Sequence, residues 1–228
     1  MQANPLNQPV RLRRALLQVS SLLLLSILTT GLLGQFAAWS LSRADRANNE
    51  LLTQYLTLVD DARGAQAAFK TQVQEWKNVL LRGEDPAERD KYLAAFTKSE
   101  RATSEQLKDL AAVAEKLELQ KHADEISSIR VAHEALGASY RQALSQTGTG
   151  AFNATVIDLR VRGIDRALDE RINALTATFI SDENSVIEQL AVSGLARYRT
   201  LTHALWVLMA ISTLLVASLL YRMLRDHT

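Results

Sequence analysis

At 228 residues the chain has room for one large domain or two small ones, and 47% of it is apolar. Its formal net charge is +1, from 26 basic and 25 acidic residues, so it lacks the basic excess on which nucleic-acid binding depends. Cysteine is absent, which excludes disulfides and thiolate metal sites.

The apolar residues gather in two blocks. Residues 15–41 carry no charge and include the run Leu22, Leu23, Leu24, Leu25, Ser26, Ile27, Leu28; about 20 such residues cross a bilayer as a helix. A cleaved signal peptide has an apolar region of only about 7–15 residues. This run is longer and Gln35, Phe36, Ala37, Ala38, Trp39 makes a poor cleavage site, so an uncleaved first transmembrane helix is predicted. Residues 201–221 form the second span, with His203 near its entry. Arginine beside short tails marks the cytoplasmic side. Arg11, Arg13 and Arg14 in tail 1–14, and Arg222 and Arg225 against Asp226 in tail 222–228, therefore predict two cytoplasmic termini. Residues 42–200 are then an extracytoplasmic domain. The stretch 42–202 holds 21 of the 26 basic and 24 of the 25 acidic residues, which leaves it at −3. Trp39, Trp206 and Tyr221 sit near the span ends, where amphipathic rings favour the interface.

Between the spans the pattern is helical throughout. The first helix is expected to continue from the membrane to Arg82, where Gly83, Glu84, Asp85 and Pro86 supply a C-terminal glycine, an N-cap acid and a proline at the first helical position. Its seam steps by four and three through Leu52, Tyr55, Val59, Ala62, Gln66, Phe69, Val73, Trp76 and Leu80. A second helix runs from Pro86 to about Leu117. Neither glycine nor proline separates it from a third, whose seam includes His122, Ile126, Ile129, His133, Leu136 and Tyr140. A turn at Leu117 to Gln120 is predicted, because one rod through both would leave its apolar stripe in water. Gln146, Thr147, Gly148, Thr149 and Gly150 mark the next boundary, and a single long helix is expected from there into the second span. The fold class is therefore all-α: a membrane-anchored antiparallel up-down-up-down four-helix bundle with two transmembrane helices.

No phosphate-binding glycine loop, zinc-protease motif or serine elbow is present, so the chain is expected to be no enzyme and to need no cofactor. His122 and His133 are eleven residues apart, about 16 Å along a helix, too far for one ion; they are expected to be hydrogen-bonded across the bundle instead. Arg63, Lys70 and Lys77 repeat every seven residues and flank the first seam. With Arg160 and Arg166 on the facing segment they form a candidate ligand-binding set, since converging cations suit a small organic anion or an amino acid. The competing expectation is a solvated face on which they pair with Asp61, Asp158, Asp165, Asp169 and Glu170, each pair contributing about 0–1 kcal/mol.

The run from Phe69 to Pro86, with Glu75, Trp76, Lys77, Asn78, Val79, Leu80, Leu81, Arg82 and Gly83, followed by Lys91, Tyr92 and Phe96, resembles the first hairpin of periplasmic four-helix-bundle domains in methyl-accepting chemotaxis proteins. Val161, Arg162, Gly163, Ile164, Asp165 and Arg166 look like the opening of the fourth helix in that group. The resemblance implies a dimeric sensor of a bacterial inner membrane whose periplasmic bundle binds a small molecule far from the membrane and signals through its fourth helix and second span to a receptor or kinase partner. It also departs from the family, whose members continue beyond the second span into a HAMP linker and a cytoplasmic signalling coiled coil, whereas Tyr221 is followed only by residues 222–228. The expectation is an input module without its own output, or else a truncated receptor. A membrane scaffold that binds protein and senses nothing is the alternative.

Overall fold

The computed structural model describes residues 8–146 and 152–225, and every regular element among them is helical. These are α1 (Gln8–Arg82), α2 (Pro86–Lys116), α3 (Gln120–Ser145), α4 (Ala154–Val161) and α5 (Arg166–Arg225). The boundary expected at Gln146 to Gly150 lies outside the described residues from Thr147 onward, as do residues 1–7 and 226–228 of the two tails. The chain divides into two compact units, Met1–Asn49 with Glu188–Thr228, and Glu50–Ile187.

In the first unit α1 and α5 each contain an apolar stretch long enough to cross a membrane. A core helix of a soluble protein would bury such a stretch. Here Leu32 and Leu214 are each 70% exposed, so these surfaces need an apolar medium rather than water. The polar side chains in these stretches include hydroxyls that donate back to their own helix: Thr30 to Ser26 O at 2.8 Å, Thr213 to Met209 O at 2.8 Å and Thr29 to Leu25 O at 2.9 Å. That bonding lets a hydroxyl enter hydrocarbon without an orphaned donor.

The second unit is organised by one core. Leu58, Val59, Ala62, Phe69 and Trp76 from α1 meet Phe96, Leu107 and Leu110 from α2, Ile126, Ile129 and Tyr140 from α3, Ile157 from α4, and Leu168, Ile172 and Phe179 from α5. Of the α1 seam read from the sequence, Val59, Ala62, Phe69 and Trp76 are buried while Leu52, Tyr55, Gln66, Val73 and Leu80 are half-buried, and the buried stripe extends to one side of it. Leu58, Ala65, Gln72 and Val79, each one residue before a seam position, are buried as well. A helix packed against several neighbours needs the broader face. Gln72 and Trp76 of α1 meet His133 and Tyr140 of α3 in the same order, so α1 and α3 run in step. Gln66 donates to Asn173 Oδ1 at 2.6 Å, and Thr176 reaches Ala62 O at 3.4 Å, which pairs α1 and α5 in reverse order.

The turns follow local chemistry. Asp85 caps α2, its carboxylate accepting from Ala87 N at 2.8 Å with Pro86 at the first helical position. The α2–α3 turn falls at Leu117 to Leu119. Leu119 N donates to Ala114 O at 2.9 Å and Glu118 N to Glu115 O at 3.0 Å, while Glu118 takes φ 57°. This is a Schellman closure with glutamate where glycine is usual.

The last helix departs from expectation. It is broken after Val161 and resumes at Arg166, with Gly163 at φ 77° between them. The left-handed backbone is open to glycine at no steric cost, and it ends α4 after eight residues.

Candidate functional site

The break after α4 places its residues against α1. A cavity of about 270 Å³ is lined by Phe69, Lys70, Val73, Gln74 and Lys77 from α1, by Asp165 from the turn, and by Arg166 and Asp169 from the first turn of α5. Phe69 is fully buried and forms part of the apolar floor. Lys70 and Lys77 stand one heptad apart and so share one side of α1. Asp165 O accepts from Asp169 N at 2.9 Å, which fixes the start of α5 where Arg166 projects.

Of the five candidate residues, the structure brings together Lys70, Lys77 and Arg166. Arg63 lies on the same exposed stripe, about 10 Å further along α1 at 1.5 Å per residue, and does not line this cavity. Arg160 donates to Gln146 Oε1 at 2.8 Å across the α3–α4 connection.

Pairing separates the cations into two sorts. Arg162 pairs with Asp158, Arg171 with Glu125 at 2.9 Å and with the Ser128 hydroxyl at 2.8 Å, and Arg141 with Glu100 at 2.6 Å. Among the described residues, Lys70, Lys77 and Arg166 make no ion pair within 4.0 Å, although Asp165 and Asp169 line the same cavity. Asn173 instead donates to Asp169 Oδ2 at 3.0 Å. Three cations and two carboxylates leave the cavity with one positive charge and free donors.

Lys77 also borders a second, adjoining groove of about 410 Å³, with Leu80, Leu81, Ala154, Thr155, Asp158 and Arg162. Sequence reasoning missed this groove, and it named Asp165 and Asp169 as ion-pair partners of the cations, whereas they line the first cavity without pairing with Lys70, Lys77 or Arg166 within 4.0 Å. The visible signal was Gly163, whose left-handed turn sets where those side chains fall.

The two histidines are tied across the core. His133 Nε2 lies 2.8 Å from Gln72 Oε1, and burial pushes the His133 imidazole below its ordinary value, against the opposing pull of Glu100 and Glu134. His122 Nε2 is 3.2 Å from Asp182 Oδ2, its ring edge-on to Phe179. Among the described residues no cluster of three or more histidine, aspartate or glutamate side chains is placed to hold a metal ion.

The chain is helical in every regular element among its described residues, carries two candidate membrane spans and, in its second unit, holds a cation-lined cavity. Comparison gives it a relative: over 139 residues the chain is 37% identical to the methyl-accepting chemotaxis protein CtpH of Pseudomonas aeruginosa. The match covers 60% of this chain and 23% of that protein, so the chain spans about a quarter of its relative's length. No family model matches the chain. No solved structure matches it either. The similarity establishes a relationship to a chemoreceptor.

Proposed function

We propose that the chain is a chemoreceptor-like transmembrane sensor that detects a small extracytoplasmic ligand. In this reading residues 42–200 form the antiparallel up-down-up-down four-helix bundle in the periplasm, spans 15–41 and 201–221 hold it in the inner membrane, and both termini are cytoplasmic. The protein acts as a homodimer, performs no catalysis, and passes occupancy through α5 to a receptor or kinase partner.

One observation carries the ligand assignment: Lys70, Lys77 and Arg166 converge on one cavity and, among the described residues, have no ion-pair partner within 4.0 Å. A structural cation would be neutralised, as Arg171 is by Glu125. Free guanidinium and ammonium groups over an apolar floor suit a small organic anion or an amino acid. The relationship to a chemotaxis protein supports the sensing role.

The test is calorimetric titration of the full chain in detergent with a panel of carboxylates and amino acids, repeated on Lys70→Ala, Lys77→Ala and Arg166→Ala. Loss of one cation is expected to weaken the ligand by about 1.5–3 kcal/mol, the scale of charge-assisted hydrogen bonds, while thermal stability barely moves. Affinity that holds within about twofold in all three variants, roughly 0.4 kcal/mol, would move the site elsewhere.

A further inference from the structure

The first unit contains a groove that the sensing role does not use. Ser40 and Leu41 of α1 and Ala196, Arg197, Thr200 and Leu201 of α5 enclose about 380 Å³. Its place in the sequence is specific. On α1 the uncharged stretch ends just beyond it, at Arg43; on α5 Arg197 and Arg199 stand just before the uncharged stretch begins. For helices that span a bilayer, this is the level of the lipid headgroups.

The lining has the same division as a phospholipid at that level. Leu41 and Leu201 are apolar, Ser40 and Thr200 carry hydroxyls, and Arg197 supplies a guanidinium that makes no ion pair among the described residues. The surroundings are also basic. Arg43 lies over the Trp39 ring at 5.5 Å, Arg46 donates to the Ser42 hydroxyl at 3.2 Å, and Arg199 follows Arg197 on α5, with Asp45 the acid in these two stretches. Arginine beside the tails is explained by membrane orientation; these four flank the opposite ends of the spans, where orientation gives them no use.

We propose that this groove binds the headgroup of an anionic glycerophospholipid. Arg197 holds the phosphodiester through paired N–H donors, the Ser40 hydroxyl donates a further bond, and Leu41 and Leu201 meet the first carbons of an acyl chain. The assignment rests on the membrane reading above, and the groove's mixed lining selects a lipid over a free anion, which would leave both leucines in water.

The full chain is reconstituted in phosphatidylcholine nanodiscs containing a minor fraction of phosphatidylglycerol, then released and weighed with its retained lipids by native mass spectrometry. The wild-type chain is expected to retain phosphatidylglycerol at least about fivefold above its share of the bilayer, and Arg197→Ala to bring that enrichment within about twofold of unity. Arg46→Ala, outside the groove, keeps the enrichment. No enrichment in an embedded wild-type chain, or an undiminished one in Arg197→Ala, overturns the lipid site alone. Enrichment abolished by about 10 mM inorganic phosphate at constant ionic strength assigns the groove to a free anion and also overturns it. A chain that never enters the discs overturns the membrane reading and this proposal with it.

Discussion

The two ends of the core in residues 50–187 are built from different chemistry. Toward Arg82, the Trp76 ring stacks on Tyr140 at 4.4 Å, and Phe96 lies 5.7 Å from both rings. Toward Tyr55, polar groups press on the core: His122 meets Asp182, burial and Asp182 push the Tyr55 phenol up, and Asp61 is raised by burial and by Asp109 and Asp60. An aromatic end depends on volume and is indifferent to pH. A polar end depends on charge and tolerates small changes of shape.

The largest expected effect falls on the aromatic end. Trp76→Ala removes a ring that is 3% exposed and should cost about 3–5 kcal/mol, read from denaturant midpoints of the full chain in mild detergent. Trp76→Phe should lose far less, because Nε1 of Trp76 is buried without a hydrogen-bond partner and phenylalanine removes that orphaned donor. A loss below about 1 kcal/mol for the alanine variant would break the comparison.

The next effect sits between the two ends, at His133. Its folded-state value lies below the ordinary one, so the unfolded chain takes up the proton first. Stability is therefore expected to be level above about pH 6.5 and to fall as pH drops below it. His133→Gln keeps a polar partner for Gln72 and should flatten that slope; an unchanged slope would assign the acid sensitivity to other groups.

How far these features were legible depends on how each is made. The α1–α2 boundary was readable because Gly83, Asp85 and Pro86 each perform a capping task peculiar to their residue type. The α2–α3 turn was placed by elimination, since its left-handed position is occupied by Glu118. Gly163 stood in plain view but was read as part of a continuous helix, because Val161, Ile164 and Leu168 keep helical spacing across the break. The cation stripe was legible as a line on α1. Which of its members meet Arg166 was not, because that depends on where α5 restarts.

Glu118 supplies a third test. A non-glycine residue in the left-handed region stores strain, so Glu118→Gly should be neutral to stabilising by up to about 1 kcal/mol, measured as a rise in denaturant midpoint. A loss of stability would mean that the glutamate side chain contributes more than its backbone costs.

The smallest effect sharpens the polar end. Asp61 is raised in the folded state, so its ionisation opposes folding, and stability linked to it is greatest at low pH and lost as pH rises. Asp61→Asn should gain at most about 0.5 kcal/mol at neutral pH after screening by solvent, and nothing below about pH 3. The same gain at both pH values would assign the effect to shape rather than charge.

The bonds that join Gln66 to Asn173 and Thr176 to Ala62 span 107 and 114 residues of chain. Glu100 and Arg141, which join α2 to α3, are only 41 apart. During synthesis the α2–α3 hairpin can therefore close while the ribosome is still making α5. The face of α1 that carries Ala62 stays open until residue 176 has emerged. Docking of α5 closes the longest loop in this core and is expected to set its folding rate. A translational pause before that point would hold an uncovered apolar stripe outside the ribosome, where chaperones and proteases compete for it.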